Sequence, residues 1–62
     1  MPIANITVTK GRPLEDTQAM MKAVTDAIES TLHAPRESIR VIVREVEPQL
    51  FSVGGVPKSA DS

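Results

Sequence analysis

Four residues in this chain of 62 have side chains suited to chemistry, and they lie far apart in sequence: Pro2, Arg12, Arg40 and Phe51. Pro2 follows Met1, and a methionine before so small a residue is normally trimmed. Trimming exposes a secondary amine, intrinsically more basic than an ordinary α-amino group. Burial beside cations would lower its proton affinity until it is free base near neutrality. Such a base can take a proton from an acidic position and return it elsewhere. Little else competes for that role, because the chain has no cysteine, no tyrosine and a single histidine, His33. Arg12 and Arg40 each offer a guanidinium fork that matches a carboxylate. Each of these residues also fits a plainer place: Arg12 a solvated turn, Arg40 a solvated sheet face, Phe51 an ordinary core or interface position. Arg36 and Arg44 read as surface charges. The acids Glu15, Asp16, Glu45 and Glu47 show no pairing suited to hydrolysis.

The elements that must position these residues follow from periodicity. Residues 2–9 alternate, with Ala4, Ile6 and Val8 on one face and Asn5, Thr7 and Thr9 on the other, which predicts a strand. Lys10-Gly11-Arg12-Pro13 breaks it. Gly11 supplies a permissive turn position, and Pro13 suits the first turn of a helix. Glu15 and Asp16 favour that positive end. The spacing predicts a helix over residues 13–32. Leu14, Thr17, Met21, Val24, Ile28 and Leu32 form its apolar stripe, widened by Met20, Ala23 and Ala27. The helix ends before Pro35, with His33 favoured there by the helix dipole. Residues 35–38 are a connector. Residues 39–46 predict a second strand, with Ile39, Val41 and Val43 on one face and Arg40, Ile42 and Arg44 on the other. A strand–helix–strand crossover is nearly always right-handed and sets its strands parallel. Gly54-Gly55 between Val53 and Val56 predicts a hairpin, and residues 58–62 a frayed polar end.

The expected fold is α/β (α+β): a short β-α-β unit with a C-terminal hairpin, one domain over residues 1–62. Two strands and a helix do not make a stable sheet alone. So short a chain needs a staple. With no cysteine it has no disulfide or thiolate metal site, and one histidine makes a histidine metal site implausible. Yet 40% of the residues are hydrophobic, so assembly into an oligomer is the staple that remains. The net charge of −1 argues against a nucleic-acid or anionic-membrane partner. No apolar run approaches a membrane span, and the first residues lack a signal-peptide pattern. A cytoplasmic setting is expected.

Pro-Ile-Ala on a first strand, Gly-Arg before a single helix, Ser-Ile-Arg-Val-Ile-Val on a second strand and Phe-x-Val-Gly-Gly near the end form an ordered set. In that order and spacing, across residues 2–56, the chain resembles the 4-oxalocrotonate tautomerase family. The resemblance implies a tautomerase-type fold, hexameric as a trimer of dimers, with each site drawn from more than one subunit. It implies Pro2 as the catalytic base, Arg12 as the grip on a distal carboxylate, and Arg40 as the cation at the reacting end. Phe51 walls the pocket, and Thr9, Ser38 and Val53 join the substrate-binding residues. No cofactor is implied. The activity implied is keto–enol tautomerisation of a small unsaturated dicarboxylate such as 2-hydroxymuconate, in the catabolism of aromatic compounds. Another physiological substrate, or a non-catalytic oligomeric module, remains open. Thr9 stands where an apolar pocket residue is expected and makes that wall more polar. The related chloroacrylate dehalogenases carry an arginine at the position of Thr9 and an acid at that of Val53. Neither is present, so hydration or dehalogenation is not expected as the main activity.

Overall fold

The computed structural model describes residues 1–58, so the expectation of a frayed end is testable only at Lys58; residues 59–62 lie outside the described part. Strand β1 spans Ile3–Thr9, helix α1 spans Leu14–Leu32, and strand β2 spans Arg40–Val46. β1 and β2 pair in parallel from Ile3↔Arg40 to Thr9↔Val46. Single-turn 3₁₀ helices precede and follow β2, at Arg36–Ser38 and Pro48–Leu50. Strands β3 (Ser52–Val53) and β4 (Val56–Pro57) close an antiparallel hairpin separate from the first sheet. Gly54 (φ 61°) and Gly55 (φ 84°) both take positive φ, as the tightest hairpin turns require.

The faces fall where alternation puts them. Ala4, Ile6, Val8, Val41 and Val43 are half-buried, whereas Asn5, Thr7, Arg40, Ile42 and Arg44 are exposed. The helix lies mainly over β2 and meets the sheet through Thr17, Met20, Met21, Val24 and Ile28. Element boundaries shift for local reasons. Pro13 is the residue before the helix and not its first turn: its ψ of 143° is extended, and its carbonyl accepts from the N–H groups of Asp16 (3.1 Å) and Thr17 (3.4 Å). Ile39 drops out of β2 because its N–H caps the preceding turn on the Arg36 carbonyl at 3.1 Å. His33 closes α1 in the left-handed conformation (φ 55°).

The apolar stripe is covered only in its middle. Leu14 and Leu32, at its two ends, are 71% and 64% exposed. A helix of 19 residues rises ~28 Å, longer than a seven-residue strand at ~23 Å, so its ends overhang the sheet. Among the described residues Ile39 is the one buried hydrophobic side chain, and no side chain is wholly enclosed. The radius of gyration is 14.5 Å, against about 10.6 Å for a compact domain of this length. The accessible surface is 4635 Å², against about 3,900 Å² for a compact monomer of this mass. The chain by itself is therefore an extended half-layer with an apolar surface left open.

Candidate active site at the two ends of the parallel sheet

Pro2, Ser38 and Arg40 meet at the end where the strands begin. The backbone N–H of Arg40 donates to the Pro2 carbonyl at 3.0 Å, and Ile3 lies opposite Arg40 in register. Pro2 is half-buried, while Met1 before it is 78% exposed and so open to removal. With Met1 in place the Pro2 nitrogen is an amide and carries no basic lone pair. The Arg40 side chain is exposed, and its Nη1 donates to the Glu37 carbonyl at 2.8 Å. That contact holds one branch of the fork and leaves the other donors free. Ser38 directs both its donors, N–H at 2.9 Å and Oγ at 2.7 Å, to the Pro35 carbonyl. Its hydroxyl proton therefore holds the turn, and only its oxygen lone pairs remain to accept a further hydrogen bond.

The opposite end carries Thr9 and Arg12. Arg12 Nη1 donates to the Thr9 carbonyl at 3.0 Å. Arg12 also lines an open cleft of about 420 Å³ with Val8, Asp16, Thr17 and Met20. The strand run of seven residues separates this end from Pro2 by roughly 20 Å. One chain therefore does not bring Arg12 to Pro2. Phe51 and Val53 follow this second end, on the hairpin, 39% and 64% exposed. The hairpin is tied back by the Lys58 N–H on the Phe51 carbonyl at 2.6 Å. Neither residue lines the cleft that holds Arg12.

Sequence reasoning missed two groups here. Glu47 forms an ion pair of 2.9 Å with Lys10, whose N–H also continues the ladder to the Val46 carbonyl. The Glu47 hydrogen bond and charge, with Glu45 adding to them, hold the Lys10 ammonium above its ordinary pKa. The parallel register, which places Lys10 just past Thr9↔Val46, is the signal that would have found it. Asp16, read only as a helix-start acid, also faces the cleft beside Arg12. Among the described residues, no three His, Asp or Glu side chains are gathered as metal ligands would be. No helix there is long and apolar enough to cross a membrane.

A proline at the head of a parallel strand, an arginine paired beside it and a second arginine at the strand's far end, on a β-α-β unit with a glycine hairpin, define a small α+β protein of the tautomerase type. The family described as tautomerase enzyme matches residues 2–61, and the chain belongs to that family of isomerases. A probable tautomerase of Ralstonia nicotianae is 47% identical over 60 residues, covering 97% of this chain and 86% of the relative. A probable tautomerase of Staphylococcus aureus is 41% identical, covering 95% and 97%. Among solved structures, TomN, a 4-oxalocrotonate tautomerase homologue in tomaymycin biosynthesis, superposes with a TM-score of 0.92 at 36% identity, covering 95% of this chain and 91% of that one. A heterohexamer 4-oxalocrotonate tautomerase from Chloroflexus aurantiacus gives 0.91 at 29% identity, covering 95% of each.

Proposed function

We propose that this isomerase converts a small unsaturated 2-hydroxy dicarboxylate, with 2-hydroxymuconate as the type substrate, into its 2-oxo isomer, 2-oxo-3-hexenedioate. Pro2, freed of Met1, is the general base. It takes the proton of the 2-hydroxyl, and a proton is returned to carbon at the far end of the diene. The double bonds shift, and no atom is gained or lost. The observation that carries the reading is the Arg40–Pro2 backbone bond at 3.0 Å. It joins the Arg40 backbone to the residue whose nitrogen becomes the amine, which supports a guanidinium acting beside that nitrogen. There the cation depresses the amine's proton affinity and offsets the charge that develops on the substrate oxygen.

Arg12 holds the distal carboxylate and comes from another subunit, because its own chain keeps it at the other end of β1. Thr9, Val53 and the Phe51 ring line and dry the pocket in the same way, with Ser38 beside Arg40. The assembly is a homo-oligomer, a hexamer built as a trimer of dimers. The open half-layer supports this, and so does the heterohexameric state of one structural neighbour.

The test follows 2-hydroxymuconate ketonisation by ultraviolet absorbance, using protein whose intact mass shows Met1 removed. Fast turnover that collapses in Pro2→Ala supports base and reaction class together. No turnover from processed, oligomeric protein sinks the substrate assignment. A second reading keeps the chemistry and changes the substrate. Thr9, half-buried beside Arg12, favours it by placing a hydroxyl-bearing residue where an aliphatic wall is expected. It predicts poor kcat/KM with 2-hydroxymuconate and the same dependence on Pro2.

A further inference from the structure

Gly11 is the point at which the second end turns. Its φ of 128° lies in backbone space essentially confined to glycine. A Cβ placed on it would meet no atom within 4 Å. Neighbours therefore do not require a small residue here; the torsion alone does. On one side the ladder ends with the Lys10 N–H on the Val46 carbonyl at 2.9 Å. On the other, Arg12 folds back over Gly11 so that Nη1 reaches the Thr9 carbonyl at 3.0 Å, and Pro13 leads straight into the helix. The contact joins residues only three apart, so the backbone between them decides whether it forms.

We propose that Gly11 is a positioning residue for Arg12: its torsion turns the guanidinium onto the Thr9 carbonyl and holds the fork at the cleft lined by Val8, Asp16, Thr17 and Met20. The inference deepens the reading of Arg12 as the carboxylate-binding cation and rests on it. An L-residue at position 11 relaxes toward negative φ and swings Arg12 away. A D-residue keeps positive φ while adding the same methyl. The free space around the glycine leaves room for the L-methyl, so a loss there comes from torsion and not from size, and the D-alanine chain tests the torsion directly.

A chain this short is open to total chemical synthesis, without Met1, with L-alanine or D-alanine at position 11. In Gly11→Ala the KM for 2-hydroxymuconate rises about tenfold, with kcat nearly unchanged. The KM for a 2-hydroxydienoate lacking the second carboxylate stays put, and D-alanine restores the wild-type KM. In an Arg12→Ala background the L-alanine has no further effect. Equal KM for the L- and D-alanine chains, or equal losses with both substrates, overturns the proposal. If wild-type protein turns over neither substrate, the proposed reaction fails by itself, and crystal structures of the two chains still decide the role of Gly11. Loss of the Arg12–Thr9 bond in the L-alanine chain alone supports it; retention there, or loss in the D-alanine chain, overturns it. Should the L-alanine chain not fold, the D-alanine structure decides: Arg12 kept on Thr9 supports the proposal, and Arg12 released overturns it.

Discussion

The two ends of the parallel sheet hold their arginines by different means. Arg40 sits inside the ladder, with its N–H on Pro2 and its guanidinium on the Glu37 carbonyl of the adjoining 3₁₀ turn. Arg12 lies outside any regular element and is aimed by a glycine torsion and one contact to Thr9. The first end is thus organised within its own chain. The second presents an arginine, a cleft and apolar residues that stand exposed among the described residues. The contrast points to a division of labour. On the proposed function, the end assigned to proton transfer is the one tied by backbone bonds, and the end assigned to substrate selection is the one that another chain would complete.

The largest expected effect falls on the first end. Pro2→Ala should lower kcat by about 10²–10⁴-fold, the span typical of losing a positioned base. A chain that retains Met1 should fall as far, because an amide has no usable lone pair. Steady-state ketonisation on mass-verified protein reads both. If a chain that retains Met1 loses less than tenfold, the base lies elsewhere and the comparison between the ends loses its meaning.

Removing each arginine sharpens it. Arg40→Ala should act mainly on kcat, by about 10²–10³-fold, since it faces charge that grows in the transition state. Arg12→Ala should act mainly on KM, by about 10–100-fold, the worth of a charge-assisted carboxylate contact. Identical kcat and KM patterns for the two would mean that the ends do not divide the work. Mixing goes further. When Pro2→Ala and Arg12→Ala chains are unfolded together and reassembled, some sites receive an intact Pro2 from one and an intact Arg12 from the other. Up to about a quarter of wild-type activity should return, as random mixing in a symmetric assembly allows. No recovery from properly assembled mixtures would place both residues of a site on one chain.

Much of this division was legible in the sequence, and unevenly so. The strands, the helix and the hairpin follow from alternation, from a three-to-four spacing and from Gly54-Gly55, since each signal is local. The faces of β2 were legible for the same reason, including Arg40 on the outer side. What periodicity could not show is which residues of the two strands lie side by side. The predicted strand over residues 2–9 already puts Pro2 and Arg12 at its two ends, and the parallel register adds that Arg40 joins Pro2 at the first of them. Register is a pairing between segments thirty-odd residues apart, and no local pattern encodes it. Leu14 and Leu32 likewise belong to the stripe by spacing but overhang the sheet, because stripe length and strand length are set independently. The Lys10–Glu47 pair stayed hidden because it too depends on register.

The smallest expected effect concerns how the turn beneath Arg40 is held. Arg36, the first residue of that turn, places Nη1 on Asp26 at 2.8 Å and on Glu29 at 2.9 Å, tying the turn to α1; Lys22 adds a contact to Asp26 at 3.1 Å. The Arg36 hydrogen bond, then that of Lys22, hold the Asp26 carboxyl below the ordinary aspartate range. A carboxyl with a lowered pKa in the folded state binds fewer protons there than in the unfolded chain. Its contribution is therefore complete above the ordinary aspartate pKa and is lost as pH falls through the lowered one. Urea midpoints measured at fixed protein concentration should accordingly slope downward on the acid side, between about pH 5 and pH 2. In Asp26→Asn that slope should shrink. The difference should be small and should fade with added salt, since these groups stand in solvent. Lys10–Glu47 at the other end gives the contrast. Lys10→Met should leave the acid slope contributed by Asp26 unchanged, because the raised lysine pKa acts only on the alkaline side. An acid slope that Asp26→Asn leaves intact, or that Lys10→Met removes, would show that the turn under Arg40 is not held by its ion pairs. Its backbone bonds to Pro35 and Arg36 would then be what keeps Arg40 beside Pro2.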